Sequence, residues 1–239
     1  MFITPTSSQA VPLIVAPTAF ECAAIKRPIQ RAIARGDVRL SQCGVGIRHA
    51  ANFCQNLDPN IYTHLLLLGW AGGLAEGLKP GDVVCALAAL MQGQPELRLV
   101  PLPLAGNLIA GNNPMAREGS ILTVPLALIS PTEKRAAQET GAIAVEMEAY
   151  PMAAWAQSHD IPFSHVRVIL DAWDEPLPDL GPGINSTGRF HLTGFLRRLV
   201  TRPGLVSDLV RLNRRIRALN PVLGQMAVDV LSTINDESH

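Results

Sequence analysis

Uniformly apolar runs alternate with amphipathic stretches along most of the chain. "VPLIVAP" (11–17) has no polar position and predicts a short buried strand. "TAFECAAIKRPIQRAIARG" follows with apolar residues at helical spacing and predicts a helix that closes near Gly36. "VRLSQCGVG" (38–46) predicts a second strand running into a Gly-x-Gly turn, and "IRHAANFCQNL" the helix after it. "THLLLLGWAGGL" (63–74) is a strongly apolar strand with a glycine-rich end, and "GDVVCALAAL" (81–90) is the next. Residues 91–119 are rich in Pro, Gly and Asn and predict irregular loops.

Strand character returns in "SILTVPLALIS" (120–130). "PTEKRAAQETG" opens with Pro and carries Glu133 in its first turn, as a helix start should. "AIAVEME" predicts a strand, "AYPMAAWAQSHD" a helix, and "PFSHVRVILDAWD" (162–174) the last clear strand. Strands alternating with helices predict a mostly parallel sheet covered by helices. Beyond Asp174 the pattern changes: "EPLPDLGPGINSTG" reads as a loop. From Arg189 to Leu219 eight arginines face a single acid, Asp208, with apolar residues between them at helical spacing. This predicts a basic amphipathic helical hairpin, either packed on the domain or lying on an anionic membrane surface. The expected organisation is an α/β domain over 1–180 and a helical extension over 181–239.

Composition narrows the picture. Hydrophobic residues are 48% of the chain but aromatics only 5%, so the core must be built from aliphatic side chains, which suits close-packed parallel strands. A formal net charge of zero gives no support to nucleic-acid binding. Cys22, Cys43, Cys54 and Cys85 lack metal-ligand spacing and read as reduced, buried thiols of a cytoplasmic protein. No histidine pair has metal-ligand spacing, so no metal is expected; Gly44-x-Gly46 lacks the third glycine of a dinucleotide fingerprint and no P-loop pattern occurs, so no resident cofactor is expected. The N-terminal stretch lacks the features of a secretory signal, and no apolar run is long enough to span a bilayer.

Candidate chemistry collects where the predicted strands end, the usual place for ligands in parallel α/β sheets. Glu21 follows the first strand, "GVG" the second, "GWAGG" the third, "EME" (146–148) the short one, and Asp171 closes "VRVIL". On their own, Glu148 could be a helix cap and Asp171 a turn residue.

In order, "VAPTAFE", "CGVG", "LLLLGWAGGLAEGLKPGDVV", "AIAVEMEAYPMAAWA" and "IPFSHVRVILDAWD" resemble the nucleoside phosphorylase/nucleosidase superfamily over about residues 11–174. The resemblance implies that family's three-layer α/β fold, with a mixed, mostly parallel central sheet. It implies cleavage of the N-glycosidic bond of a purine nucleoside, with phosphate or water as acceptor and phosphate as the co-substrate in the first case. Glu148 matches the carboxylate that accepts from the ribose hydroxyls, and Met147 the side chain beneath the sugar. Asp171 matches the acid that protonates the purine, and Glu21 the acid that orients the attacking water. Gly46 and Gly72 match turn glycines around the sugar and nucleophile. Glu146 is left as structural or facing a partner copy, because the family role belongs to Glu148; a homo-oligomer, by preference a dimer, is implied.

Three positions depart from the family pattern. Leu170 stands where Ser usually precedes the acid, Trp70 where Ser or Thr follows the first glycine, and Leu128 where an aromatic stacks on the base. Arg48, just past Gly46, is the candidate cation for an anion site. The tail from Gly188 further resembles the hopanoid-associated branch of the family. That branch implies adenine removal from adenosylhopane, a lipid-linked substrate, and peripheral contact with the inner face of the membrane through the extension. Two rival readings are a methylthioadenosine/S-adenosylhomocysteine-type nucleosidase and a non-catalytic nucleoside-binding homologue.

Overall fold

The computed structural model describes residues 10–102, 116–178 and 204–237, with side chains from 207 to 234 in the last segment. The expectations for the N-terminal stretch, for the middle of the loop region over 91–119 and for the first part of the basic segment fall on 1–9, 103–115 and 179–203, outside the described residues; the described part of that loop region holds a short strand at Leu97–Arg98 and the start of another at Ala116.

Among the described residues eight strands form one mixed sheet. They are β1 (Val11–Ala16), β2 (Arg39–Gln42), β3 (Tyr62–Gly73), β4 (Val83–Met91), β5 (Leu97–Arg98), β6 (Ala116–Thr123), β7 (Ala144–Glu146) and β8 (Phe163–Asp171). Among the described residues there are five α-helices: α1 (Ala19–Arg35), α2 (Ile47–Gln55), α3 (Pro131–Gln138), α4 (Ala149–Ser158) and α5 (Gly204–Glu237). The order β2-β1-β3-β7-β6-β4-β5 runs across the sheet, and β8 pairs with both β3 and β4. The sheet therefore closes through β3, β7, β6, β4 and β8. Parallel pairing joins β1 to β2 and β3, β3 to β8, and β6 to β4 and β7; β7 on β3, β8 on β4 and β5 on β4 are antiparallel.

Local chemistry sets the element ends. Thr18 and Glu21 form a reciprocal capping box at the start of α1, and Gly36, at φ 81°, closes the helix in the left-handed conformation. Ser130 and Glu133 make the same box on α3. The strand expected over 120–130 starts earlier and stops at Thr123, because Val124 donates its last bond to Glu146 O and Pro125 has no N–H to continue the ladder. The second strand is likewise shorter than expected, ending at Gln42 before the two glycines of the turn.

Two apolar layers flank the sheet. One side buries Leu65, Leu67, Ile121, Met152 and Phe163 beneath α2 and α4. The other buries Ile14, Leu66 and Val166 beneath α1 and α5. Here the C-terminal segment differs from a hairpin appended to a finished domain. Between 204 and 219 there is no turn: α5 is one continuous helix of 34 residues. Its later half places Leu223, Met226, Ala227 and Val230, all at 0% exposure, into this second layer. The helices cross closely at Gly224, where a Cβ would lie 2.9 Å from Pro28 Cγ and 3.1 Å from Ala24 O. The core contact is thus made by the apolar stripe from Leu219 to Ile234, downstream of the arginine-rich stretch, where Val210 stays 45% exposed.

Candidate active site

The carboxyl ends of β1, β3, β7 and β8 surround a cavity of about 220 Å³. Pro17, Thr18 and Glu21 form one wall, Trp70 and Gly72 another, and Met147, Glu148, Arg167 and Asp171 lie among them. Val124, Leu128 and Leu177 complete an apolar side. The structure therefore brings together Glu21, Trp70, Gly72, Leu128, Met147, Glu148 and Asp171. Gly46 contributes its backbone N–H to Glu148 rather than a face of the cavity. Arg48 is not brought in: it is exposed on α2, between half-buried Ile47 and His49, and lies off the cavity lining.

A buried arginine organises the carboxylates. Arg167 sits mid-strand in β8 at 0% exposure. Its Nη2 reaches Glu146 Oε2 at 2.8 Å and Glu148 Oε2 at 3.0 Å, and Nη1 lies 3.8 Å from Glu21 Oε1. Its Nε donates to His165 Nε2 at 2.6 Å. Burial and the neighbouring guanidinium hold His165 well below its ordinary range, so it is neutral. Room for this cluster depends on Gly69, which pairs with Arg167 across the sheet; a Cβ there would collide with Arg167 Nη1 and Glu21 Oε1. Arg167 and Lys134 were missed by the sequence reading. The only available signal for Arg167 was a charged residue inside an otherwise apolar strand, and Lys134 gave none, standing on an ordinary polar helix.

The three glutamates differ in state and role. Glu146 is structural: it accepts from Thr123 Oγ1 at 2.6 Å and from the N–H groups of Glu148 and Ala149, each at 2.8 Å, at the head of α4. It points inward and so does not face a partner copy. Glu148 accepts from Gly46 N–H at 2.8 Å and from Arg167. Burial raises its pKa to about 8, with Arg167 opposing and the neighbouring Glu146 adding to the rise. Glu21 is both a capping residue and a cavity residue: Oε2 accepts from Thr18 N–H and Oγ1, and Oε1 from Trp70 N–H at 2.9 Å. Burial raises its pKa, against Arg167 and these bonds. One arginine cannot neutralise three carboxylates in so dry a place, so Glu21 and Glu148 both hold protons more tightly than free glutamate.

Asp171, at the end of β8, is 2% exposed and has its pKa raised by desolvation, opposed by Lys134. Lys134 Nζ bonds its Oδ2. The cavity thus presents an ionisable acceptor, Glu148, and a desolvated acid, Asp171, on either side of a partly apolar space.

These features meet a sequence profile described as the phosphorylase superfamily, which matches residues 23–180. The chain belongs to that superfamily, and it is a glycosyl-bond-cleaving enzyme. Among solved structures it is similar in fold to the Helicobacter pylori 5′-methylthioadenosine/S-adenosylhomocysteine nucleosidase, at 15% identity and TM-score 0.65, covering 97% of this chain and 100% of that one. It is similar to the futalosine hydrolase of the same organism, at 16% identity and TM-score 0.65, over 97% and 100%. The nucleosidase from Neisseria meningitidis gives 17% identity and TM-score 0.63, over 94% and 99%. No curated protein matches the chain.

Proposed function

We propose that the protein hydrolyses the N-glycosidic bond of a purine nucleoside carrying an apolar 5′ substituent. The observation that carries this is the pairing of Glu148 and Asp171 across one cavity. A carboxylate accepts both hydrogens of a ribose diol, and a desolvated carboxylic acid is suited to protonating a departing base near neutral pH. Met147 and Leu128 supply apolar surface for sugar and base. The electron pair of the broken C–N bond goes to the base with the proton of Asp171. The oxygen of water joins the sugar carbon, and the water's remaining excess proton is released.

Water is favoured over phosphate by charge. Arg167 is the cation among the described residues of the cavity lining, and Glu21, Glu146 and Glu148 enclose it. A phosphate dianion would meet that acidic cluster, Trp70 offers no hydroxyl, and Arg48 stands outside. The expected products from an adenosine-type substrate are adenine and a free sugar, formed at the same rate with and without phosphate. A saturable phosphate requirement with a sugar 1-phosphate product would reverse this assignment. Release of no base from any purine nucleoside would overturn this choice of substrate.

A lipid-linked substrate such as adenosylhopane fits two features. Phe20 and Leu126, next in the chain to cavity residues, are 70% and 75% exposed. Arg211, Arg214 and Arg217 stand exposed on α5. Among the described residues no helix is long and apolar enough to cross a membrane, so contact would be at the surface. Each basic residue there contributes about 1 kcal/mol of attraction to anionic lipid. Co-sedimentation with phosphatidylserine vesicles should fall steeply with salt and with replacement of these arginines by Gln. Protein that ignores anionic vesicles at low salt points instead to a small thio-nucleoside as substrate.

A further inference from the structure

Lys134 is fully buried, at 0% exposure, on the short helix α3. A lysine is almost never hidden so completely unless its ammonium is paired. All three of its N–H donors are committed: to Asp171 Oδ2, to Ala172 O at 2.7 Å and to Glu175 O at 2.7 Å. The last two are backbone carbonyls of the turn that leaves β8, so Lys134 grips both the acid and the turn carrying it. The turn is held again from α5. Arg215 of α5 meets the Glu175 carboxylate at 2.7 and 3.0 Å and donates to Leu170 O at 3.2 Å. Glu175 Oε2 in turn accepts from Ala172 N–H at 3.1 Å. One oxygen of Asp171 is thereby fixed. The other, Oδ1, has no partner among the described residues and belongs to a side chain that lines the cavity.

We propose that Lys134 is the positioning residue of the reaction's acid: it pins Asp171 by Oδ2, leaves Oδ1 to the leaving base, and supplies the counter-charge for the carboxylate that forms. This rests on the hydrolytic reading above. Before cleavage, Asp171 holds its proton on Oδ1. As the C–N bond breaks, its electron pair and that proton go to the base, water adds to the sugar carbon, and Asp171 becomes a carboxylate beside an ammonium already in place. A counter-ion in position before charge develops needs no reorganisation during the reaction. The charged groups facing Asp171 are Lys134 from α3, Glu175 from the turn and Arg215 from α5; Lys134 and Arg215 favour the carboxylate and Glu175 opposes it.

The test compares wild type with Lys134→Met, which keeps the stem and removes the charge. Turnover should fall on the order of 10²-fold, the scale of a disabled general acid. Turnover needs the protonated acid, so it declines as pH rises. Removing a cation makes the acid harder to ionise, and the alkaline limb of kcat should therefore move to higher pH. Ethylammonium added to Lys134→Ala should restore part of the rate. Cleavage of a 4-nitrophenyl riboside, whose leaving group departs without a proton, should be nearly unaffected. A rate loss with an unmoved limb, equal on both substrates and not rescued by amine, overturns the inference and makes Lys134 structural. Should neither variant fold, Lys134→Gln, which keeps a hydrogen-bonding group in the pocket but removes the charge, carries the same test: its limb should also move upward, and an unmoved limb overturns the inference. Wild-type protein that releases no base from any nucleoside overturns the hydrolytic reading, and this inference falls with it. Wild-type release with an unmoved limb in Lys134→Met overturns this inference alone.

Discussion

Asp171→Asn should lower kcat on the order of 10²–10⁴-fold while changing substrate affinity little. The geometry says why the two effects separate. Lys134 donates to Oδ2 of Asp171, so the amide of the variant will turn its oxygen to the lysine and its NH2 to the cavity. An amide so placed still donates a hydrogen bond to the base, and binding is preserved. It has no proton to give, and the bond-breaking step loses its acid. The alkaline limb of turnover should vanish with the carboxyl group, since Asp171, its pKa raised by desolvation, is the group that must remain protonated. Steady-state kinetics across pH on a natural nucleoside and on a 4-nitrophenyl riboside would check this. Equal losses on both substrates would remove Asp171 from the acid role.

Glu148→Gln should cost a comparable factor, but in kcat/KM and only for substrates with both ribose hydroxyls. Hydrogen bonds to a charged acceptor are each worth about 1.5–3 kcal/mol, so disabling a two-hydroxyl contact predicts a loss on the order of 10²–10⁴-fold. The side chain is anchored by Gly46 N–H on one oxygen and by Arg167 on the other, which holds the carboxylate still and leaves its remaining lone pairs for the sugar. In Gln one of those positions becomes a donor and faces either Arg167 or a hydroxyl unfavourably. A pH signature accompanies the loss. Burial raises the Glu148 pKa to about 8, and the ionised form is the one that accepts both hydrogens. Wild-type KM should therefore fall as pH rises towards and through that value, and the variant should lose this dependence. A 2′,3′-dideoxy analogue should show little difference between the two proteins. Parallel losses for diol and dideoxy substrates would mean that Glu148 acts through Arg167 and the fold rather than on the sugar.

The two acids make opposite demands on pH. Asp171 must be protonated for turnover, and Glu148 must be ionised for binding. Wild-type kcat/KM is therefore expected to peak between the two requirements.

Much of this arrangement is readable along the chain. Apolar runs bounded at one end by glycine or proline marked β1, β3 and β4, because a strand buried on both faces has few polar positions to interrupt it. The capping pair Thr18–Glu21 and the Pro131 start of α3 marked helix ends, because those signals act within four residues. The order of "GWAGG", "VEMEA" and "ILD" placed three site residues, since each ends a strand on the sheet's ligand-binding edge. The tertiary structure decided what local pattern cannot carry. Glu146 and Glu148 sit two residues apart and read alike, yet Thr123 and the head of α4 take the first, while Gly46 and the cavity take the second. Arg167 looks like an exposed charge in an apolar strand until three carboxylates from β1–α1, β7 and α4 converge on it. Lys134 lies 37 residues from Asp171 and meets it only because α3 folds against the end of β8. Arg48, two residues past Gly46, is exposed and lies off the cavity lining. Sequence determines the period of each element and the chemistry at its ends, which depend on neighbours along the backbone. The charge state and aim of a buried side chain depend on groups brought from distant elements, and burial strengthens those interactions too much for a local pattern to predict them.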